Sequence, residues 1–142
     1  KNFDGKIPVS GDYDEIDLEL IGVAKNTPQT VRSLIQEMKI HDALENIFVL
    51  LRKINQYLEI KSPWKTIAND SGPKSDAATT LYVGIEILRI SSVLLEPIMP
   101  EKINSLLEAL SLDKTKDNSL KFGVLSPGTT IKRIEVLFPK ID

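Results

Sequence analysis

The stretch Asn55-Gln56-Tyr57-Leu58-Glu59-Ile60-Lys61-Ser62-Pro63-Trp64-Lys65 sets the only tryptophan of the chain directly after a proline and between two lysines. That combination suits the binding of a nucleobase. Single-stranded RNA is recognised largely by splayed bases stacked on aromatic rings, and each stack is worth roughly 1–3 kcal/mol. Pro63 fixes the backbone direction into Trp64, and Lys61 and Lys65 stand where they can reach phosphates. The same residues also fit a second use, in which Trp64 plugs the core at a helix-to-loop junction. One face of an indole can pack while the other takes a base, so the two uses do not exclude each other.

Other chemistry is sparse. Cysteine is absent and His41 is the only histidine. This excludes disulfides and thiolate metal sites, and leaves any zinc site to carboxylates alone. A Ser-His-Asp arrangement would have to use His41 beside Asp42, where the reading is a surface residue in the first turn of a helix. Asp12, Asp14 and Asp17 match any acidic helix start. Gly72-Pro73-Lys74-Ser75 has neither the spacing nor the preceding strand of a phosphate loop. No catalytic residue, metal ligand or cofactor site is therefore expected in this segment.

Eighteen basic against twenty acidic residues give a net charge of −2, without the basic excess of a typical nucleic-acid binder. Contact with RNA must then be local, or shared with another domain. At 142 residues, 42% hydrophobic and 27% charged, the chain fits one globular domain with a real core. No apolar run approaches 18 residues and no secretory signal opens the chain, so neither a membrane span nor export is expected. The chain opens at Lys1 without a methionine and closes on the apolar Phe138-Pro139-Lys140-Ile141-Asp142. It reads as a piece of a longer polypeptide.

Helices must position these residues. After a loop over 1–12, Asp12 is expected to cap a helix from Tyr13, with Asp14, Glu15 and Asp17 at the positive end of its dipole. At Asn26-Thr27-Pro28 either a fresh helix starts, with Pro28 in its first turn, or one helix continues and bends. Ile40, Leu44, Ile47, Leu51, Ile54 and Leu58 recur at spacings of 4, 3, 4, 3 and 4, one face of a long helix. Phe48 and Tyr57 widen that face. Pro63 to Ile67 forms a short helical turn, and the polar stretch Asn69–Asp76 ends it. Asp76 is expected to cap the next helix, which runs to Leu95, carries apolar residues on several sides and should be central. Another helix starts at Pro100 and uses Ile103, Leu106, Leu107 and Leu110. Residues 111–126 read as surface loop, and Ile131–Phe138 as a short strand or an extended segment laid on the helices. The fold class is all-α, a helical bundle with a short extended C-terminal segment.

Several of these segments occur together in one known family. Asn2-Phe3-Asp4-Gly5-Lys6-Ile7-Pro8 is followed by a helix from Ala43-Leu44 to Asn55-x-Tyr57, then Pro63-Trp64. Next come Leu81 to Leu95 with Glu96-Pro97-Ile98-Met99-Pro100. Last come Phe122-Gly123, Pro127-Gly128 and Leu137-Phe138-Pro139-Lys140-Ile141-Asp142. In this order and spacing they resemble the C-terminal anticodon-binding domain of methionine–tRNA ligases, class I aminoacyl-tRNA synthetases. The resemblance covers nearly the whole chain.

The resemblance implies a parent enzyme that joins methionine to its tRNA using ATP. ATP and methionine would be its substrates, and its catalytic domain lies outside this sequence. It implies recognition of the CAU anticodon loop of methionine tRNA, with the residue matching Trp64 stacked on the first anticodon base. Pro63, Lys61, Lys65 and Asn55 are the accompanying RNA-binding candidates. Asn55 and Tyr57 either fix the end of their helix or touch RNA. The family also uses an asparagine and an arginine on a first helix that would lie upstream of Lys1. Residues 1–142 would then be a fragment of the domain lacking that helix. Lys140 stands where the family carries arginine, which keeps the charge but not the guanidinium fork.

The expected partners are methionine tRNA and the parent's own catalytic domain, with neither DNA nor membrane, in the cytoplasm. The competing reading is a structural helical domain that docks on a catalytic core or a protein partner. It requires a buried Trp64 and an exposed apolar patch elsewhere. Loss of an upstream helix would uncover such a patch and favour self-association.

Overall fold

The computed structural model describes residues 3–68, 70, 72–112 and 119–137. Its helices are α1 (Glu15–Gln36), α2 (Ile40–Lys61), the single turn α3 (Pro63–Thr66), α4 (Asp76–Leu95) and α5 (Pro100–Ala109). Lys6 and Thr130 form an isolated antiparallel bridge, and no longer strand occurs among the described residues. The extended reading of the C-terminal segment holds over the strand reading. Ile131 packs on the interior and Ile134 is 38% exposed, but Val136 stands 76% exposed in solvent. The closing motif from Phe138 to Asp142, with Lys140, lies outside the described residues.

Helix α1 begins two residues later than the cap at Asp12 would place it. Asp14 is the N-cap: its carboxylate accepts the Asp17 backbone N–H at 2.9 Å, and Asp17 returns the bond to the Asp14 N–H at 3.0 Å. This reciprocal capping box satisfies two N–H groups that a helix start leaves without partners. The helix then runs unbroken through Pro28. The proline withholds one N–H from the ladder, while the neighbouring Thr27 Oγ1 donates to the Val23 carbonyl at 2.8 Å.

The 3–4 spacing in α2 identifies the helix and its inner side, with the centre of the buried stripe displaced. Ala43, Ile47, Leu50, Ile54 and Tyr57 are buried, whereas Leu44, Leu51 and Leu58 flank them and Ile40 is exposed. A helix packed on two neighbours buries a broad face rather than a single line of residues.

Helix α4 is the centre, packing on α1, α2, α3 and α5. Its cap is Ser75, whose side-chain oxygen accepts the Ala78 N–H at 3.2 Å; Asp76, expected as the cap, is the first helical residue. Val83, Ile87 and Ile90 are fully enclosed against Leu20, Ala24, Leu50 and Ile54. Contrary to the expected absence of such a stretch, α4 is long and apolar enough by composition to cross a membrane, but 72% of that window is buried inside the bundle. Burial in the core of the bundle accounts for its apolar composition.

Two charges break the apolar run of α4. Glu86 and Arg89, both fully buried, pair at 3.0 Å. Glu86 also accepts the backbone N–H groups of Gly123 and Leu125, and Arg89 donates to the carbonyls of Ser119 and Lys121. Tyr82 donates to the Leu125 carbonyl at 3.0 Å, and burial pushes its phenol up to about 12. Residues 119–125 are thus stapled to the core by side chains rather than by a sheet. The surface-loop reading of 111–126 is corrected for this part: Leu125 is 3% exposed, and Phe122 meets Tyr13 and Tyr82 edge to face. A buried carboxylate is tolerated only when paired and hydrogen-bonded, and the loop backbone supplies those bonds.

Candidate nucleic-acid interface

The C-terminal end of α2 is locked from beneath. Tyr57, on the inner stripe, donates its hydroxyl to Asp17 Oδ1 of α1 at 2.8 Å. Lys61, one turn on, sets its ammonium among three carboxylates: Asp14 at 2.6 Å, Asp17 at 3.2 Å and Asp76 at 3.2 Å. The ends of α2, α1 and α4 meet here. Burial works against the charge on Lys61, but the bonds from Asp14, Asp76 and Asp17 outweigh it and hold the lysine well above its usual range. Burial and the hydrogen bond to Asp17 hold the Tyr57 phenol high as well.

This geometry corrects one sequence expectation. The Lys61 side chain is 7% exposed, and its charge is neutralised within the fold. It is not available as a free phosphate contact. The three carboxylates come from elements distant in sequence, so nothing around position 61 announces them. Tyr57 belongs to the same lock, and its hydroxyl serves the fold.

Beyond the lock the chain reverses. Ser62 adopts a left-handed conformation, φ 42° and ψ 55°, and its N–H closes α2 on the Leu58 carbonyl at 2.9 Å. Pro63 then opens α3 at its first position, where a missing N–H costs nothing. Pro63 is buried, and the Lys65 and Ile67 N–H groups return to the Ser62 and Pro63 carbonyls at 2.9 Å each. In a single turn anchored by Pro63, the next two side chains face outward. Trp64 is 59% exposed, and Lys65 is exposed with no ion pair among the described residues. Trp64 is thus neither a core plug nor the buried residue that the docking reading requires. The lysines do not converge on it, because only Lys65 is free.

Asn55 is exposed on α2, at the rim of an apolar groove between α2 and α4 of about 390 Å³, lined also by Leu51, Leu58, Leu81, Ile85 and Leu88. It lies on the other side of α2 from Tyr57, which faces α1. His41 is exposed in the first turn of α2, as read from the sequence. No group of three or more carboxylates and histidines able to hold a metal occurs among the described residues.

Sequence reading missed the Glu86–Arg89 pair. Its signal was present: these are the only charges between Ala77 and Leu95, one turn apart in an otherwise apolar helix.

Residues 7–142 match the family described as the anticodon binding domain of methionyl tRNA ligase. The chain is 39% identical to the methionine–tRNA ligase of Caldanaerobacter subterraneus subsp. tengcongensis over all of its own length and 22% of that protein. It is 33% identical to the methionine–tRNA ligase of Mycobacterium tuberculosis over 99% of its own length and 27% of that protein. The chain therefore spans about a quarter of the length of these curated relatives. The solved apo structure of Mycobacterium tuberculosis methionyl-tRNA synthetase superposes with a TM-score of 0.92 at 30% identity, covering 100% of this chain and 29% of that one. A second structure of that enzyme, in complex with methionyl-adenylate, gives 0.88 at 32% identity, over 99% and 28% of the two chains. The bundle, the Pro63-Trp64 turn and the match over residues 7–142 agree, and the chain belongs to the anticodon-binding domain family of methionyl-tRNA ligases.

Proposed function

We propose that this segment binds the anticodon loop of methionine tRNA, with the first base of CAU stacked on Trp64, within an ATP-dependent methionine–tRNA ligase. The observation that carries the reading is an indole 59% exposed on a turn whose backbone is fixed by the buried Pro63, in a chain of this family. Lys65 supplies the adjacent positive charge for a phosphate. Asn55 and Pro63 act by position, Pro63 as the anchor and Asn55 at the groove rim. The longer protein would work in the cytoplasm, where tRNA is charged.

Trp64→Ala in the full-length protein tests this. Binding of methionine tRNA should weaken by about 1–3 kcal/mol, the worth of one stacked base. Methionine activation by ATP should be unchanged. Unchanged tRNA binding with the fold intact would end the role given to Trp64.

The groove between α2 and α4 supports a second proposal, that residues 1–142 are part of a larger domain and that a helix preceding Lys1 lies in it. The relatives are about four times longer than the matched region, so chain is available to supply one. The groove is apolar, and exposed apolar surface of this kind drives association. A 142-residue fragment should self-associate in sedimentation, and a fragment extended upstream through such a helix should be monomeric. Clean monomers at high concentration for both would remove this proposal. The docking reading survives only in this form, as contact between the groove and the protein's own chain.

A further inference from the structure

Trp64 rides on α3, a helix of four residues. A helix that short does not hold itself, since isolated helices below roughly 12–15 residues are marginal in water. It hangs from the end of α2 through Ser62 and packs on α4. The place of the indole therefore depends on how the end of α2 is set against the start of α4.

One side chain sets it. Lys61 is the last residue of α2 and Asp76 the first of α4, so the segment carrying Trp64 leaves and rejoins the bundle at these two residues. The Lys61 ammonium donates to Asp76 Oδ1 at 3.2 Å across that neck. It also donates to Asp14 Oδ2 at 2.6 Å and lies 3.2 Å from Asp17 Oδ1. An ammonium has three donors and no acceptor, and these three carboxylates occupy them.

The other limb of the segment is tied separately. Lys74 N–H donates to the Val9 carbonyl at 3.0 Å, and Gly11 N–H to Thr79 Oγ1 at 2.8 Å. A Cβ at Gly11 would stand 2.6 Å from the Lys74 carbonyl oxygen, so this approach requires glycine. Residues 9–14 thus hold both limbs, the far one through Val9 and Gly11 and the near one through Asp14. Without the ammonium, the Asp14 and Asp76 carboxylates would face each other across the neck as like charges and repel.

We propose that Lys61 is a positioning residue for RNA binding: by closing the neck between α2 and α4 it sets the place of the Trp64 indole, and it touches no RNA itself. The inference rests on the stacking reading of Trp64 and adds the residue on which that stacking depends.

The test uses the full-length protein and an anticodon stem-loop bearing CAU. Lys61→Gln should weaken binding about 2- to 30-fold. In a Trp64→Ala background the same change should weaken it no further, since a residue that acts only through Trp64 has nothing left to act on. An equal loss in both backgrounds overturns the proposal, because it marks a direct contact or general damage to the fold. Asp76→Ala opens the neck while leaving the buried Asp17 in place, and serves if Lys61→Gln folds poorly. It should also weaken binding, whereas a Lys61 that acts on phosphate would be freed and binding would tighten, which overturns the proposal. Asp70→Asn, at an exposed acid of the same segment, controls for the lost negative charge and should leave affinity unchanged.

Fluorotryptophan labelling reads the indole without RNA. The fluorine signal lost in Trp64→Phe belongs to Trp64. It should shift or broaden in Lys61→Gln and Asp76→Ala and stay in place in Lys25→Gln, at an exposed lysine of α1. A signal unmoved in both neck variants overturns the proposal. A Trp64→Ala protein that binds the stem-loop like the wild type overturns the stacking reading, and with it the RNA role of Lys61, while a moved fluorine signal would keep Lys61 as the residue that positions Trp64.

Discussion

Two lysines four residues apart, Lys61 and Lys65, have opposite surroundings. Lys61 ends α2 with its ammonium among Asp14, Asp17 and Asp76 and its side chain 7% exposed. Lys65 sits on α3 in solvent, unpaired among the described residues. Between them the left-handed Ser62 turns the chain, and Pro63 passes into the interior. One half of the stretch 55–65 fastens helices together and the other half is displayed. A charge next to an exposed aromatic residue in sequence is therefore not evidence of a charge next to it in space.

Asp17→Ala should break the fastened half most severely. It removes the acceptor of the Tyr57 hydroxyl, one carboxylate from Lys61, and half of the capping box of α1. Losing one member of a buried charged network costs about 3–5 kcal/mol, read as a lower urea midpoint. A loss below about 1 kcal/mol would mean that the lock is ornamental.

The two lysines can then be compared directly as glutamines. Lys61→Gln should destabilise by about 1–3 kcal/mol, since it leaves hydrogen-bonding groups of the lock without a charged partner. Lys65→Gln should change stability by no more than about 0.5 kcal/mol, as for surface sites generally. Its effect should appear instead as a smaller salt dependence of RNA binding. Equal destabilisation by both would erase the distinction drawn here.

The smallest effect is one of pH. The hydrogen bond from Lys61 holds the Asp14 carboxyl below the ordinary carboxylate value, followed by the bond from the Asp17 N–H. A group depressed in the folded state adds stability that is complete above the unfolded value, about 3.9. That stability is lost as pH falls through the folded value. Because the Asp14 side chain is 53% exposed, solvent screens the pair and the loss should be slight. Urea midpoints compared between pH 5 and pH 3 should fall a little less in Asp14→Asn than in the unaltered chain. Asparagine keeps the cap, so the difference isolates the charge. Identical falls would show that the Lys61–Asp14 bond adds no acid dependence.

Much of the bundle was legible in the sequence. The 3–4 recurrence in α2, the prolines flanking the end of α4, and Pro63 and Pro100 at helix starts are local signals, and these helices lie where the signals put them. Caps were less legible. Asp12, Asp14, Ser75 and Asp76 are all competent caps, and only the packing of α1 and α4 selects between neighbours.

The exposure of Trp64 could not be read, because a large aromatic residue suits either a core or a surface. It follows from the burial of Pro63, which is a tertiary fact. The partners of Lys61 were invisible for the same reason: they join segments far apart along the chain. Asn55 keeps its place on the helix but acquires a groove that only the neighbouring α4 can create.

The reversal at Ser62 and Pro63 has a kinetic and entropic consequence. A recognition residue on a floppy loop must be ordered as its ligand arrives, and that ordering subtracts from affinity. Here the φ of Pro63 is restricted by its ring, and three backbone hydrogen bonds close the turn around it. The indole carrier is rigid before any ligand comes, and what remains to be fixed on contact is chiefly the side-chain rotation of Trp64. Under the proposed stacking on Trp64, such a pre-organised contact asks the ligand to do the adjusting, and RNA loops that cannot splay a base toward the indole should be rejected at the encounter itself.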